Sequence, residues 1–243
     1  MMEMRHCLRS LRRSLRRALP LGLAVCLAAT AVAAADPPAP PTVAIVYFDY
    51  TGKTAELEVL RKGLAQMLIS DLSGSDAIRV VERDRLEDIL GELKLQGSAK
   101  IDPQSAVKLG KLLGARYLVL GGYFDLQDVL RVDARIVEVE TGRVVKSFGT
   151  NGKPGDFLPV EQKVAADLGG WFGGNLPRVE APHKKKPPRP PAALKTRTAV
   201  KYAEALAVLD AGDKAKAKAT LSAVLVEQPD FTLASLDLDR LMK

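Results

Sequence analysis

Two segments that are apolar on both faces constrain this chain more than any other feature. They are TVAIVYFDY at 42–50 and ARYLVLGGY at 115–123, and such uninterrupted apolar runs are typical of strands buried inside a sheet. Between them, leucines recur at spacings of three and four from Leu57 to Leu72, which indicates a helix with one buried stripe. Helices must then cover the sheet, so the sequence predicts an α/β to α+β domain with a mixed sheet.

Local signals place the elements between these two strands. Residues 77–83 are predicted to form a short strand, and Asp84 with Glu87 matches a capping box at the start of the next helix. Asp102 is expected to cap a further helix, which Gly114 ends by adopting the left-handed conformation.

The second half of the domain is predicted to be a hairpin followed by a helix. Apolar and charged residues alternate over 130–136, ETGR forms a tight turn, and RVVKSFG returns. The alternation changes phase at Ile136–Val137, which indicates a bulge. With a last helix over 157–173, the predicted order is β-α-β-α-α-β-β-β-α.

The first 35 residues are predicted to be a secretory signal peptide. Six arginines precede an uncharged run at 18–32, and AVAAAD places cleavage between Ala35 and Asp36. The run has about 15 apolar residues, fewer than the ~20 of a membrane-spanning helix. Cys26 lies inside this run after the large Val25, which argues against its lipidation. The product is expected to be soluble and periplasmic.

Cleavage removes most of the positive charge. Six of the 36 Lys+Arg and one of the 29 Asp+Glu leave, so the net charge falls from +7 to +2. The basic pI therefore gives no reason to expect nucleic acid as a partner. Cys7 and Cys26 also leave, which excludes disulfides and cysteine metal sites from the mature chain.

Composition divides the predicted mature chain into four parts. A proline-rich lead at 36–41 precedes the α/β domain at 42–175, and a Pro/Lys-rich linker at 176–197 leads to a helical tail at 198–243. The basic run HKKKPPRP in the linker is interpreted as a solvated spacer rather than a contact with lipid or peptidoglycan.

The glycine-rich stretch GKLLGARYLVLGGY at 110–123 is the first candidate binding site. A phosphate-binding loop opens a helix, whereas Gly110, Lys111 and Gly114 lie where a helix ends and its dipole is negative. The stretch is therefore predicted to be scaffold.

Other reactive side chains are scarce. Asp49 lies at the end of the first strand without a nearby carboxylate, and it is predicted to be a turn residue rather than a catalytic one. Ser98 has no histidine to activate it as a nucleophile. Residues 82–85 alternate in sign and are predicted to be a solvated helix start. No catalytic residue, metal ligand or cofactor is predicted. A hydrolase with two converging carboxylates is the alternative from another class.

Four segments together resemble the CsgG family, the curli production assembly/transport component and its relatives. They are VAIVYFDYTGK, LRKGLAQMLISDL, IRVVERDRLEDILGELKLQGSAKIDPQSAVKLGKLLGARYLVLGGY and LRVDARIVEVETGRVV, within 42–152. Similar periplasmic domains occur in LpoB-type activators of peptidoglycan synthases and in the N-terminal part of TolB. The resemblance implies a non-enzymatic domain that works by assembly and docking. The connections DLQD and ETGR are too short for the membrane-inserted hairpins of the curli channel, since one such strand needs ~9–11 residues.

The tail resembles one tetratricopeptide repeat, with a plain amphipathic helix pair as the equal alternative. The residues at repeat spacing, predicted to belong to a docking tail, are Gly212, Ala217, Leu221, Leu225 and Pro229. One repeat is too few for a solenoid, because about three are needed to bury a continuous core.

The sequence thus predicts an exported, non-catalytic envelope protein in the periplasm that docks to other envelope proteins in outer-membrane assembly, secretion or curli-like transport. Regulation of peptidoglycan synthesis, as by LpoB, is the alternative. Homo-oligomerisation and peripheral association with the outer membrane are left open.

Overall fold

A mixed sheet lies between two groups of helices. The structure, a computed structural model, describes residues 39–95, 101–176 and 194–243. The elements in chain order are β1 Thr42–Ile45, β2 Asp49–Tyr50, α1 Ala55–Glu58, α2 Leu60–Ser73, β3 Arg79–Val80, α3 Arg83–Glu92, α4 Pro103–Leu113, β4 Tyr117–Leu126, β5 Val129–Glu138, β6 Arg143–Gly152, a 3₁₀ turn Pro154–Asp156, α5 Phe157–Asn175, α6 Thr196–Asp210, α7 Lys214–Glu227 and α8 Thr232–Met242. The predicted α+β class is confirmed.

The strands run in the order β3-β1-β4-β5-β6, and β2 also pairs with β4. β1 is parallel to both β3 and β4, with Val43 opposite Val80 on one side and Tyr117 on the other. β4, β5 and β6 are antiparallel to one another. The sheet is therefore parallel at the β3 end and antiparallel at the β6 end.

Each face of the sheet has its own apolar core. Alternate residues of β4 point to opposite faces, so Val119 packs with α2, α5 and α6 while Leu118 packs with α3 and α4. The larger core also holds Ile136 of β5, whereas the smaller one holds Val137. Neighbouring residues of a strand point to opposite faces, so this alternation is regular along β5. The predicted bulge between Ile136 and Val137 is confirmed by the register, in which Lys146 lies opposite Ile136 and Val144 opposite Val137.

The prediction of one strand over 42–50 is wrong in its detail. Ile45 lies opposite Val119, and Asp49 lies opposite Gly122. Over this interval the first segment therefore contains one residue more than β4. The extra residue interrupts the ladder between β1 and β2. Phe48 is fully buried there and its ring occupies the space that a Cβ at residue 121 would need. Glycine at 121 makes room for the ring.

The second strand and the next helix also differ from prediction. The strand is only Arg79–Val80, and α3 starts at Arg83, after an N-cap, Glu82, that makes no side-chain capping bond. The predicted capping box of Asp84 and Glu87 is wrong because the Glu87 carboxylate accepts hydrogen bonds from Tyr47 and Lys62 instead.

The predicted ends of α4 are confirmed. Asp102 Oδ1 accepts hydrogen bonds from the backbone N–H groups of Gln104 at 2.9 Å and Ser105 at 3.0 Å. Gly114 follows the helix at φ 63°, where glycine carries no Cβ penalty. The chain then turns directly into β4.

The tail has three helices, of which α6 packs against α2. Ala199, Tyr202 and Leu206 of α6 are buried in the larger core. A Cβ added to Gly63 of α2 would lie 2.9 Å from the Cβ of Ala203, so the two helices approach closely. The described residues form one compact unit. Most of the predicted linker, with His183, lies outside the described residues.

The predicted signal peptide, including Cys26, Ala35 and Asp36, also lies outside the described residues, as does Ser98. Within the residues that are described, no helix is both long enough and apolar enough to cross a bilayer.

Candidate functional site

The stretch 110–123 forms the end of α4 and the start of β4, as predicted. Gly110 is buried in α4, and a Cβ there would lie 2.5 Å from the Cγ2 of Val139. Lys111 is exposed in the last turn of the helix, where a cation is stabilised by the helix dipole. The glycine therefore serves close packing between α4 and the sheet, and the stretch has no helix N-terminus that could hold a phosphate.

Asp49 is a strand residue rather than the predicted turn residue. It begins β2 and forms an ion pair with Arg61, whose Nη2 lies 3.4 Å from the carboxylate. The Arg61 Nε also donates to the carbonyl of Phe48 at 3.0 Å. These two contacts connect Arg61 of α2 to the segment between β1 and β2.

A second polar cluster closes the loop between β2 and α1. The Tyr50 hydroxyl donates to Asp125 Oδ1, and the Thr54 hydroxyl donates to Asp125 Oδ2 at 2.7 Å. These bonds, first the one from Tyr50, lower the pKa of the exposed Asp125 carboxyl. Burial first, and then the bond to Asp125, raises the pKa of Tyr50. The cluster holds the carboxylate ionised and ties β4 to the loop.

A third group of charges, named here the tail–body cluster, joins the tail to the body. It consists of Tyr47, Lys62, Arg83, Glu87 and Asp210. Asp210 at the end of α6 accepts from Arg83 Nη1 at 2.6 Å and from Lys62 Nζ at 2.5 Å. Lys62 Nζ also donates to Glu87 at 2.9 Å, and the Tyr47 hydroxyl donates to the same carboxylate at 2.6 Å.

Burial governs the electrostatics of this cluster. The side chain of Arg83 is 5 % exposed and that of Asp210 is 9 % exposed. Burial alone would lower the pKa of Arg83, but the Asp210 carboxylate outweighs it, and the net pKa is raised. Burial, then the hydrogen bond to Glu87, raises the pKa of Tyr47. Arg83 therefore stays charged and Tyr47 neutral throughout the physiological range.

Glu87 and Asp210 are two carboxylates that converge, as the hydrolase alternative requires. Both are already bound to Lys62, and Asp210 is bound to Arg83 as well. Among the residues that the structure describes, no group of three His, Cys, Asp or Glu is placed to hold a metal ion.

A cavity of about 280 Å³ lies beside the tail–body cluster, after β1 and between α2 and α3. In open α/β sheets ligands bind beyond the carboxyl ends of the strands. The cations in its lining, Arg61 and Lys62, are both in ion pairs, and Val59, Leu90 and Ala207 give it an apolar wall. The acid in its lining is Glu58, which is exposed.

The opposite end of the sheet is open. We define the open edge as strand β6 and its outer side. β6 is the last strand of the sheet and pairs with β5 alone among the described strands. Its residues are exposed or half-buried throughout, with Val144 53 % and Val145 39 % exposed. Val145 is the extra residue of the bulge, because Lys146 lies opposite Ile136 and Val144 opposite Val137.

The five residues predicted for a docking tail lie on the inner side and in the turns of the helical tail. Ala217 and Leu221 of α7 are fully buried, and Leu225 packs against the larger core. Gly212 forms the turn between α6 and α7 at φ 87°, and Pro229 lies between α7 and α8. They hold the tail together, so a partner of the tail would meet the other faces of these helices.

The prediction of a solvated helix start at 82–85 is wrong for Arg83, and no sequence pattern indicated a role for Asp210. Arg83 stands between Glu82 and Asp84 in a run of alternating sign, which is typical of a solvated surface. Asp210 ends the apolar stripe of α6 just before a turn. Neither position has a local signal of burial, because the two partners are 127 residues apart in the sequence.

The fold and these clusters are the context for the comparison with known proteins. Residues 32–126 match the CsgG family. That family is described as the curli production assembly/transport component CsgG. The predicted resemblance is confirmed over this range, which ends at the last residue of β4, whereas the prediction extended to residue 152. A search of curated proteins finds no match.

Three solved structures illustrate the weaker similarities. The C-terminal domain of LpoB from Escherichia coli is 13% identical over 50% of this chain and 89% of that chain, with a TM-score of 0.40. Lipoprotein GNA1162 from Neisseria meningitidis is 12% identical over 56% and 100%, with a TM-score of 0.40. TolB from Acinetobacter baumannii is 14% identical over 58% and 30%, with a TM-score of 0.36.

Proposed function

We propose that this chain is an exported, non-catalytic protein of the bacterial cell envelope that acts by docking to other proteins. The observation that carries the proposal is the tail–body cluster. In this cluster the carboxylates of Glu87 and Asp210 converge on Lys62, and Asp210 is also paired with Arg83, so both are held in ion pairs. The match of residues 32–126 to an assembly and transport component supports the same conclusion.

The inventory of reactive side chains agrees with a docking role. The two histidines and two cysteines of the chain are His6, His183, Cys7 and Cys26, and the described residues contain none of them. Histidine, the most frequent general base, and the cysteine thiol nucleophile are therefore missing from the described residues. The body therefore offers a partner a surface for docking.

The proposed location is the periplasm, with the outer membrane as the surface to which partners are attached. Mass spectrometry of the protein recovered from cells tests this. We expect a mature N-terminus at Asp36. A lipid on Cys26 would instead make the protein membrane-anchored, and an intact residue 1 in the cytoplasmic fraction would contradict export.

Docking is tested by photo-crosslinking in living cells. A photoreactive amino acid is placed singly at three exposed positions on different surfaces, Leu112 of α4, Val144 of β6 and Val226 of α7. We expect discrete adducts with envelope proteins from at least one position, identified by mass spectrometry. The absence of adducts at all three positions would contradict the proposal.

The enzyme alternative has its own control. Turnover of an envelope substrate by the purified protein, lost in Glu87→Gln or Asp210→Asn, would also contradict docking as the function. The two finer roles, assembly or secretion at the outer membrane and regulation of peptidoglycan synthesis, are separated by the identity of the crosslinked partner.

A further inference from the structure

We propose that the open edge is the docking surface and that its partner is an extended, acidic polypeptide segment, which adds to β6 as a further strand. This inference rests on the proposed docking function and specifies its site. An edge strand presents a row of backbone N–H and C=O groups on its outer side, and strand addition satisfies them. The backbone supplies the affinity, and side chains supply the choice of partner.

The regular part of the edge is long enough for this mode. Beyond the bulge at Val145, Lys146 to Gly152 pair one to one with β5, from Ile136 back to Leu130. Seven residues at about 3.3 Å each give a template of roughly 23 Å. This exceeds the usual strand of about 5–6 residues. The bulge itself is a common device that limits pairing at one end of an edge strand.

The charge of the edge indicates an acidic partner. The sequence RVVKSFGTNG of β6 contains two cations and no acid, and Lys153 follows it directly. Lys146 and Lys153 are exposed, so they flank the regular template at both ends. On the neighbouring strand Arg135 is also exposed. Opposite charge across neighbouring strands is favourable, and it also accelerates encounter.

The acids near the edge do not cancel these cations. Asp133 of β5 is bound to Arg131, with the Nη2 at 2.7 Å and the Nε at 2.8 Å from its carboxylate oxygens. Glu138 and Glu140 lie beside the turn at the Arg143 end, away from the regular template. Asp156, which is exposed, follows Lys153 by three residues, so the excess of positive charge lies on β6 itself, at Lys146, and on the neighbouring Arg135.

A second copy of this chain fits the same edge less well. Pairing β6 with another β6 would bring Lys146 and Lys153 of both copies to one seam without any acid in either strand. Like charges across a seam are unfavourable. The two exposed valines, Val144 and Val145, lie at the bulge rather than along the template, so an apolar partner has little to bind.

The probe for the test is a fluorescent peptide of five Glu-Val repeats, titrated with the purified protein by fluorescence anisotropy. Two control peptides accompany it. Five Lys-Val repeats keep the strand propensity and reverse the charge. Five Glu-Val repeats with alternate backbone amides N-methylated keep the charge and lose the hydrogen bonds of strand addition. We expect both controls to bind at least about tenfold more weakly than the probe.

Matched charge reversals locate the site on the protein. Lys146→Glu is expected to weaken binding of the Glu-Val peptide at least about tenfold. Lys108→Glu changes the net charge equally but lies exposed on α4, and is expected to change binding less than about twofold. Bound peptide is also expected to slow hydrogen exchange of the backbone amides between residues 146 and 152.

Several results would overturn the inference. Equal binding of the N-methylated peptide would mean charge attraction without strand addition. Self-association of the protein through β6 would assign the edge to a second copy. Binding of alginate but not the peptide, with the same dependence on Lys146, would assign it to an anionic glycan. Envelope adducts from Leu112 or Val226 without peptide binding would leave docking intact and exclude this edge.

Discussion

The α2 face and the β6 edge are two surfaces of one sheet-and-helix body, and charge is used differently on each. On the α2 face, Arg83 and Lys62 are paired with Asp210 of the tail, and the Arg83–Asp210 pair is buried beside tightly packed helices. On the β6 edge, Lys146 and Lys153 are exposed beside a strand without acids. On the first surface the charged side chains form ion pairs with one another. On the second surface the lysines are exposed to solvent.

The difference shows which surface is available to a partner. A buried ion pair is costly to form, but it is specific, because removing one member leaves the other desolvated. An exposed lysine on an edge strand contributes little to stability and discourages uncontrolled pairing. The tail is therefore integral to the fold, while the edge is free to bind. Four measurements test this contrast, from the largest expected effect to the smallest.

The largest effect is expected from Asp210→Ala. This change leaves the guanidinium of Arg83 buried without its carboxylate, which should lower the free energy of unfolding by about 3–5 kcal/mol. Urea denaturation measures it. Glu204→Ala, at an exposed position of the same helix, is the control and should change stability by no more than about 0.5 kcal/mol. Equal effects of both changes would mean that the tail is not held by the cluster.

Gly63→Val is expected to have the next largest effect. The new side chain would press on Ala203 across the contact between α2 and α6, and overpacking of this kind costs about 1–3 kcal/mol. Ala203→Gly in the same protein should restore part of the loss. Gly170→Ala in α5, where nothing lies within 4 Å, should instead gain about 0.5–1 kcal/mol. Additive effects of Gly63→Val and Ala203→Gly would argue against direct contact.

Asp237 of α8 should make the stability of the tail depend on pH. Burial raises its pKa, against the opposing hydrogen bond from Tyr202. A carboxyl with a raised native pKa contributes stability that is present below its unfolded pKa, roughly 3.9, and lost as the pH rises through the native value. Asp237→Asn keeps a neutral side chain, so its stability relative to wild type should increase from acid to neutral pH. A difference that is constant with pH, measured by urea denaturation, would contradict this.

The smallest effect on stability is expected at the edge. Lys146→Val removes an exposed charge and should change the free energy of unfolding by less than about 0.5 kcal/mol. The same change should increase self-association of the protein, measured by analytical ultracentrifugation. An exposed lysine on an edge strand discourages its pairing with the edge strands of other molecules. Lys108→Val on α4 is the matched control and should leave the protein in its original state of association.

Local patterns predicted much of this fold. The helix over 103–113, its cap at Asp102 and its end at Gly114 depend on residues within a few positions of each other, and they are confirmed. The hairpin of β5 and β6 and its bulge follow from a two-residue period that is equally local. Such features can be read from one sequence because the interacting groups are neighbours along it.

The features that sequence reasoning missed are made by distant partners. The break after Ile45 depends on how Phe48 packs against Gly121 of another strand. The burial of Arg83 depends on Asp210, 127 residues later. No periodicity or spacing links such pairs. For the same reason the tail could be predicted to be helical, but not where its helices would pack.

The separation between Arg83 and Asp210 also has a consequence for incomplete chains. A body without the tail lacks the carboxylate that offsets the burial of the guanidinium, so its last folding step requires the C-terminal helices. Fragments that stop before Asp210 should therefore be cleared by proteases faster than the finished protein.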